Sequence, residues 1–139
     1  MKYLGLDLGT RTLGISISDL THTIATTYKT IRYEEENYEY LLQELKNIIN
    51  KEQIEKIVLG LPKNMNNTIG ESAERCINFK KLIEENLNIE VIMQDERLTT
   101  KEATNYMIEA NMSRKKRKKK IDSLAANIIL QTYLDRKKD

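Results

Sequence analysis

The sequence contains few of the residues that mark several specialised classes of protein. Its 139 residues include one cysteine, one proline, five glycines and no tryptophan. A single cysteine excludes an internal disulfide, and so excludes a disulfide-stabilised scaffold. The low content of proline and glycine does not fit a low-complexity or disordered chain. No stretch approaches the roughly 20 apolar residues that a membrane-spanning helix needs.

The N-terminus enters a strand pattern at once and shows no signal-peptide profile, so we expect a cytoplasmic protein without a membrane partner.

Hydrophobic residues make up 40% of the chain and charged residues 32%, which is typical of a globular protein with a highly charged surface. The length predicts one domain over residues 1–139. The formal net charge of +2 is too small to indicate nucleic-acid binding by itself. Cys76 lies on the apolar face of a predicted helix, which favours a packed thiol over a catalytic one.

Hydrophobic periodicity predicts an α/β fold. Three strand patterns come first, and helices and strands then alternate. The predicted strands are residues 2–8, 13–18, 23–30, 56–62 and 89–95, and the predicted helices are residues 34–51, 71–86, 98–110 and 121–135. A short first connection and the order of elements predict a mixed sheet, antiparallel at its start, with helices on its faces.

Three carboxylates lie at the ends of predicted elements. Asp7 ends the first strand, Glu96 follows the last strand, and Asp122 opens the last helix. Ligand sites in α/β sheets gather beyond the carboxyl ends of parallel strands, so these acids can converge there. Converging carboxylates repel one another and favour a bound cation. Oxygen ligands without histidine or cysteine favour Mg²⁺ or Mn²⁺, and two such ions can act on a phosphodiester.

Four segments of the chain, in this order, resemble the YqgF family of the RNase H-like superfamily. They are "GLDLGTRTLGISISD", "IVLGLPKNMNNTIGESAER", "DERLTTKEA" and "IDSLAANIILQTYLD". This family is described as Holliday-junction resolvase and as pre-16S ribosomal RNA nuclease. The resemblance implies a five-stranded mixed sheet flanked by helices. It also implies that Asp7, Glu96 and Asp122 are catalytic metal ligands, and Asp95 is a lower-ranked candidate for the same role. By the same resemblance, cleavage leaves 5′-phosphate and 3′-hydroxyl ends.

A run of seven basic residues directly precedes Asp122 and predicts contact with a phosphate backbone. It has no interleaved aromatic residues, so we expect no base readout from it. Further candidates for nucleic-acid contact lie within the family segments. The full set is Arg11, Lys63, Arg75, Arg97, Arg114, Lys115, Lys116, Arg117, Lys118, Lys119 and Lys120.

Each of these features also has a simpler interpretation. Asp7 can be a turn residue, Asp122 an N-cap, and Glu96 an ion-pair partner of Arg97. The basic run can be a solvated face of the protein. The loop "GLPKNMNNTIG" can hold a phosphate through backbone N–H groups, or it can simply connect a strand to a helix.

The leading hypothesis is a metal-dependent nuclease acting on structured RNA, most specifically at the 5′ end of pre-16S ribosomal RNA. The alternatives are a Holliday-junction resolvase on branched DNA, and a non-catalytic nucleic-acid-binding factor in transcription or ribosome assembly. An actin-like ATPase is disfavoured because that architecture needs two lobes. We expect a monomer, or a homodimer if the protein resolves junctions, because symmetrical cutting needs two active sites.

Overall fold

The computed structural model describes residues 1–61, 71–95 and 114–137. Five strands and three helices lie within these ranges. The strands are β1 (Lys2–Leu8), β2 (Thr12–Ser18), β3 (Ala25–Arg32), β4 (Ile54–Leu61) and β5 (Glu90–Asp95). The helices are α1 (Tyr38–Glu52), α2 (Glu71–Leu87) and α3 (Arg114–Lys137).

The strands form one mixed sheet in the order β3-β2-β1-β4-β5. β1 pairs with β2 and β2 with β3 in antiparallel register, whereas β1 and β4, and β4 and β5, pair in parallel. The α/β prediction of a five-stranded mixed sheet is therefore confirmed. β1, β4 and β5 all end at the same edge of the sheet, which we call the carboxyl edge, and the turn between β1 and β2 lies there too.

The two faces of the sheet are buried by different helices. α1 and α2 cover one face, where Leu4, Leu6 and Ile57 pack against the fully buried Phe79. Cys76 is buried in the same cluster, as expected of a packed thiol. α3 covers the opposite face through Ile129, Leu130 and Leu134, which pack on Tyr3, Ala25 and Val58 of the sheet.

Several element boundaries differ from those predicted by the sequence, among them the starts of β3, α1 and the last helix. β3 begins at Ala25 and not at residue 23. α1 begins at Tyr38 and not at residue 34, because residues 34–37 form a turn in which the Asn37 backbone N–H donates to the Glu34 carbonyl over 2.9 Å. Within that turn Glu36 has a φ of 67°, which no helix allows.

The third difference concerns the last helix. It begins at Arg114 and not at residue 121, so the seven basic residues form its first turns. Lysine and arginine have high helix propensity, and neither glycine nor proline interrupts residues 114–137. The prediction that Asp122 opens this helix is therefore wrong. The predicted helix over residues 98–110 lies outside the described residues.

Candidate active site

Asp7 lies on the face of the sheet that α3 covers. Side chains alternate along β1, so Tyr3, Gly5 and Asp7 share this face, whereas Leu4, Leu6 and Leu8 point into the core under α1 and α2. Asp7 is half-buried and pairs with Gly14 of β2. The strand thus positions a carboxylate at the carboxyl edge, on the side of the sheet where α3 packs.

A close approach at Gly5 fixes the position of α3 on the sheet. A Cβ atom added at Gly5 would lie 2.7 Å from Leu130 Cβ and 3.0 Å from the Ala126 carbonyl oxygen, which no real side chain allows. Ser16, the β2 partner of Gly5, donates a buried 2.8 Å hydrogen bond to that same carbonyl. Glycine in the strand and alanine in the helix therefore bring the two backbones together at one defined point.

The direction of α3 follows from its contacts along β1. The Tyr133 ring lies 6.1 Å from the ring of Tyr3, and Ala126 lies against Gly5, so the helix runs opposite to the strand. Asp122 stands four residues before Ala126, about 6 Å further along the helix axis. From this register we expect the backbone of Asp122 to lie near the level of Asp7. Asp122 lies inside the helix and is not its N-cap, and its side chain is outside the described part of the chain.

A second anchor holds α3 at the start of β3. The Gln131 side chain accepts a 2.8 Å hydrogen bond from the Ala25 backbone N–H and donates a 3.0 Å bond to the Thr23 carbonyl. Sequence analysis missed this role of Gln131. The available signal was weak, since Gln131 is one of several polar residues in this helix and differs only in following the apolar residues 128–130 directly.

The third predicted acid, Glu96, follows β5 directly and lies outside the described residues, as does the side chain of Asp95. The strand that leads to it is well defined. Gln94 pairs with Gly60 of β4. The residue before Gly60, Leu59, pairs with Leu6 of β1, so Gln94 is level with Asp7. Gln94 is 7% exposed and shares the α3 face with Ile92 by alternation. Sequence analysis did not single out this buried amide at the level of Asp7.

Tyr33 holds the turn that follows Asp7. Its hydroxyl donates to the Gly9 carbonyl, and its backbone N–H donates to the Arg11 carbonyl over 3.0 Å. Burial raises the pKa of Tyr33 to about 12, and the neighbouring Tyr38 contributes to this shift. The phenol is therefore a neutral hydrogen-bond donor that keeps the β1–β2 turn against the end of β3.

The predicted nucleic-acid contacts divide into three groups. Arg11 is exposed in the β1–β2 turn at the carboxyl edge. Arg75 is half-buried on α2, where its charge and a hydrogen bond lower the pKa of Tyr38 against the larger effect of burial. Lys63 and Arg97 lie outside the described residues, and so do the side chains of the basic run at residues 114–120, whose backbone is helical.

Within residues 1–61, 71–95 and 114–137, no group of three or more histidine, cysteine or acidic side chains is close enough to hold a metal ion. Glu96 and the Asp122 side chain fall outside that search. The predicted metal ligation by the three acids therefore stays a prediction.

No described helix is long and apolar enough to cross a membrane.

Two bacterial proteins are similar to this chain over nearly its whole length. A protein from Clostridium botulinum strain Hall, named "Putative pre-16S rRNA nuclease", is 53% identical over 97% of both chains. A protein of the same name from a Geobacillus species is 49% identical over 99% of both chains.

Solved structures show the same fold at low sequence identity. Thermus thermophilus RuvC in complex with a Holliday junction substrate matches with a TM-score of 0.61 and 13% identity, over 99% of this chain and 96% of that one. The fowlpox virus resolvase in complex with Holliday junction DNA matches with a TM-score of 0.62 and 14% identity over the whole of both chains. The predicted RNase H-like fold is therefore confirmed.

A family model described as RuvX, Holliday junction resolvase, matches residues 1–136. This is the family that the four sequence segments resemble under the name YqgF. The chain belongs to the RuvX Holliday junction resolvase family.

Proposed function

We propose that this protein is a metal-dependent nuclease that hydrolyses phosphodiester bonds in structured nucleic acid, and that its substrate is the 5′ end of pre-16S ribosomal RNA. The observation that carries the proposal is the packing of α3 at Gly5. The helix runs opposite to β1 from that contact, which supports the inference that Asp122 and Asp7 share one edge of the sheet although 115 residues separate them in the chain. The names of the two bacterial relatives support the RNA substrate.

The donor chemistry at the carboxyl edge fits a hard divalent cation. Asp7 supplies carboxylate oxygens from β1, and the described neighbours at its level are Gly14, Gly60 and Gln94, none of which offers a nitrogen or sulfur ligand of the kind that zinc prefers. We propose that Asp7, Glu96 and Asp122 hold Mg²⁺ or Mn²⁺ in a two-ion site. When bound, such ions activate water and stabilise the charge on the departing sugar oxygen.

The protein's own residues then position the nucleic acid. The basic run at residues 114–120 lies on the same helix as Asp122 and ends two positions before it, so a phosphate backbone drawn to these cations passes beside Asp7. The β1–β2 turn, which Tyr33 fixes through Gly9, presents Arg11 at the same edge. Together these elements hold the scissile phosphate at the acids.

A second candidate function is resolution of Holliday junctions, which the family description favours. Two solved structures of the same fold hold junction DNA, which supports branched DNA as a partner. A third candidate is a nucleic-acid-binding factor whose acids do not catalyse. We favour the RNA nuclease, acting as a cytoplasmic monomer with residues 1–139 as one domain, because trimming an RNA end needs only one active site.

A cleavage assay tests the proposal. Purified protein is incubated with a structured precursor RNA and with a four-way DNA junction, each with and without Mn²⁺. We expect Mn²⁺-dependent cleavage of the RNA, and we expect Asp7→Asn and Asp122→Asn each to abolish it while binding is kept. Asp19→Asn, the same chemical change in the exposed turn at the opposite edge, serves as the control and leaves cleavage unchanged.

Cleavage that persists in both active-site variants contradicts the assignment of these acids. Cleavage of the junction alone supports the resolvase. Salt-sensitive binding without any cleavage supports the non-catalytic factor.

A further inference from the structure

A cleft of about 460 Å³ opens at the carboxyl edge between the end of β3 and the start of α1. The described residues that line it do not include Asp7. They are Arg11, Thr12, Arg32, Tyr33, Asn37 and Tyr40, together with Glu34, the one acidic side chain among them. We call this feature the β3–α1 cleft.

The walls of the cleft are held by backbone hydrogen bonds. Thr12 pairs with Arg32 at the end of the sheet, and the Tyr33 N–H donates to the Arg11 carbonyl over 3.0 Å. On the other side, the turn at residues 34–37 leads into α1 with Asn37 as N-cap. The Asn37 side chain makes no capping hydrogen bond, so its amide is available to a ligand.

The residues that line the cleft carry two positive charges and one negative charge. Arg11 and Arg32 are exposed, and neither guanidinium forms an ion pair with any residue of the described part of the chain. By contrast Lys2, Lys29 and Lys56 each lie within 4.0 Å of a carboxylate. Guanidinium groups bind phosphodiester oxygens well, and two of them line this cleft.

An aromatic ring completes the cleft. Tyr40 is 41% exposed, which places it among the few large apolar side chains that the described residues leave open to solvent. It stands on the first turn of α1, so its backbone is fixed by the helix. An exposed ring beside two cations is the combination with which proteins bind single-stranded nucleic acid, by stacking the base and pairing the phosphate.

The cleft is close to the proposed catalytic acids. Arg32 of β3 pairs with Thr12 of β2. Thr12 is two residues before Gly14, which pairs with Asp7 of β1. β3 is two strands away from β1 in the sheet. The Cα atoms of Arg32 and Asp7 are therefore about 12 Å apart, from two strand spacings across and two residues along.

We propose that the β3–α1 cleft binds one unpaired nucleotide that flanks the scissile phosphate, with its phosphate between Arg11 and Arg32 and its base stacked on Tyr40. This inference rests on the proposed nuclease function and specifies its substrate: a nucleic acid with a single-stranded extension beside its structured part. A base within a duplex cannot stack on a protein ring without leaving its neighbours. The cleft therefore selects a single-stranded end over a fully paired arm.

The absence of tryptophan from the sequence allows a direct optical test. Tyr40→Trp keeps an aromatic platform and introduces the protein's only indole. We expect its fluorescence to be quenched on titration with a single-stranded RNA oligonucleotide in EDTA, and to be unchanged with a blunt RNA duplex. Leu20→Trp is the control, since Leu20 is 67% exposed in the β2–β3 connection at the opposite edge, and its signal should not respond.

A binding experiment tests the cations and the ring separately. For a hairpin RNA with a single-stranded tail, Tyr40→Ala should weaken binding about 5- to 150-fold, as the loss of one base stack does. Arg32→Ala should also weaken it and reduce the salt dependence by about one phosphate contact. Lys81→Ala, which removes one exposed cation from α2, should leave the affinity within about twofold of the wild-type value, because a distant surface charge adds little at physiological salt. None of these variants should change the affinity for the same hairpin without a tail.

These measurements need no metal and no cleavage, so the two proposals fail independently. Equal quenching by duplex and single strand, or no quenching with either, overturns the cleft proposal even if the wild-type protein cleaves RNA. Quenching by the single strand in a protein that cleaves nothing supports the cleft and overturns the nuclease.

Discussion

Gly5 is the residue that determines how closely α3 packs on the sheet. We expect Gly5→Ala to lower the free energy of unfolding by about 1–3 kcal/mol, because the added methyl group would overlap Ser16 and Leu130 unless the helix moves. Chemical denaturation measures this loss. Gly9→Ala is the matched control, since a Cβ there lies 3.2 Å from the Thr12 hydroxyl and 3.3 Å from the Thr12 carbonyl oxygen, contacts that a shift of a few tenths of an ångström relieves, and should cost less. Equal losses in both variants would contradict the close packing at Gly5.

Tyr33 should make the stability of the protein sensitive to alkaline pH. The ordinary pKa of a tyrosine is near 10.0, and burial raises the pKa of Tyr33 to about 12. A raised pKa means that the folded state holds the proton more tightly, so this contribution is complete below pH 10 and is lost as the pH rises from about 10 to about 12.

We expect Tyr33→Phe to be less stable than the wild-type protein at pH 8, by about 1 kcal/mol for the missing hydrogen bond to Gly9. Above pH 10 the difference should shrink, because phenylalanine has no proton to lose. Urea denaturation at pH 8, 10 and 11 measures both effects. A constant difference across this range would contradict the buried, neutral phenol.

At the scale of elements, α3 is where sequence and structure differ most. The apolar positions after Asp122 predicted a helix over residues 121–135. The run of like charges before them has no apolar residues at helical spacing, so the hydrophobic pattern did not predict an earlier start of the helix. Backbone propensity continues the helix to Arg114, since lysine and arginine are good helix formers even without a packed face. The strands β1 and β4, by contrast, have continuous apolar runs, which predicted them within two residues of their observed ends.

The basic turns of α3 should contribute to nucleic-acid affinity through charge alone. Replacing Lys118 and Lys119 by alanine should lower the slope of log affinity against log salt by about 0.7 for each phosphate of a single strand that the protein no longer neutralises. Lys46 and Lys51, exposed on α1, provide a control pair for which the slope should not change. A change of equal size in both pairs would indicate that only the net charge matters.

At the scale of the whole molecule, the sheet topology explains why distant acids can act together. β1 and β4 are parallel neighbours, and β5 follows β4, so all three strands deliver their last residues to one edge. The sequence predicted this edge because its hydrophobic runs end at Asp7 and Asp95. It did not predict Arg32 or Tyr40 as part of a cleft there, because that cleft depends on the turn at residues 34–37. In that turn Glu36 adopts a left-handed conformation, which hydrophobic periodicity does not predict.

The central claim is that Asp7 and Asp122 bind the same divalent cation, and paramagnetic broadening by Mn²⁺ tests it most directly. The sequence has five glycines, so labelling glycine with ¹⁵N gives a spectrum of five amide signals. Gly9, Gly14 and Gly60 lie around Asp7 in the turn and in the sheet register. We predict that low concentrations of Mn²⁺ broaden these three signals first, and that Asp7→Asn and Asp122→Asn each remove the effect. Broadening that survives either substitution would contradict a shared site.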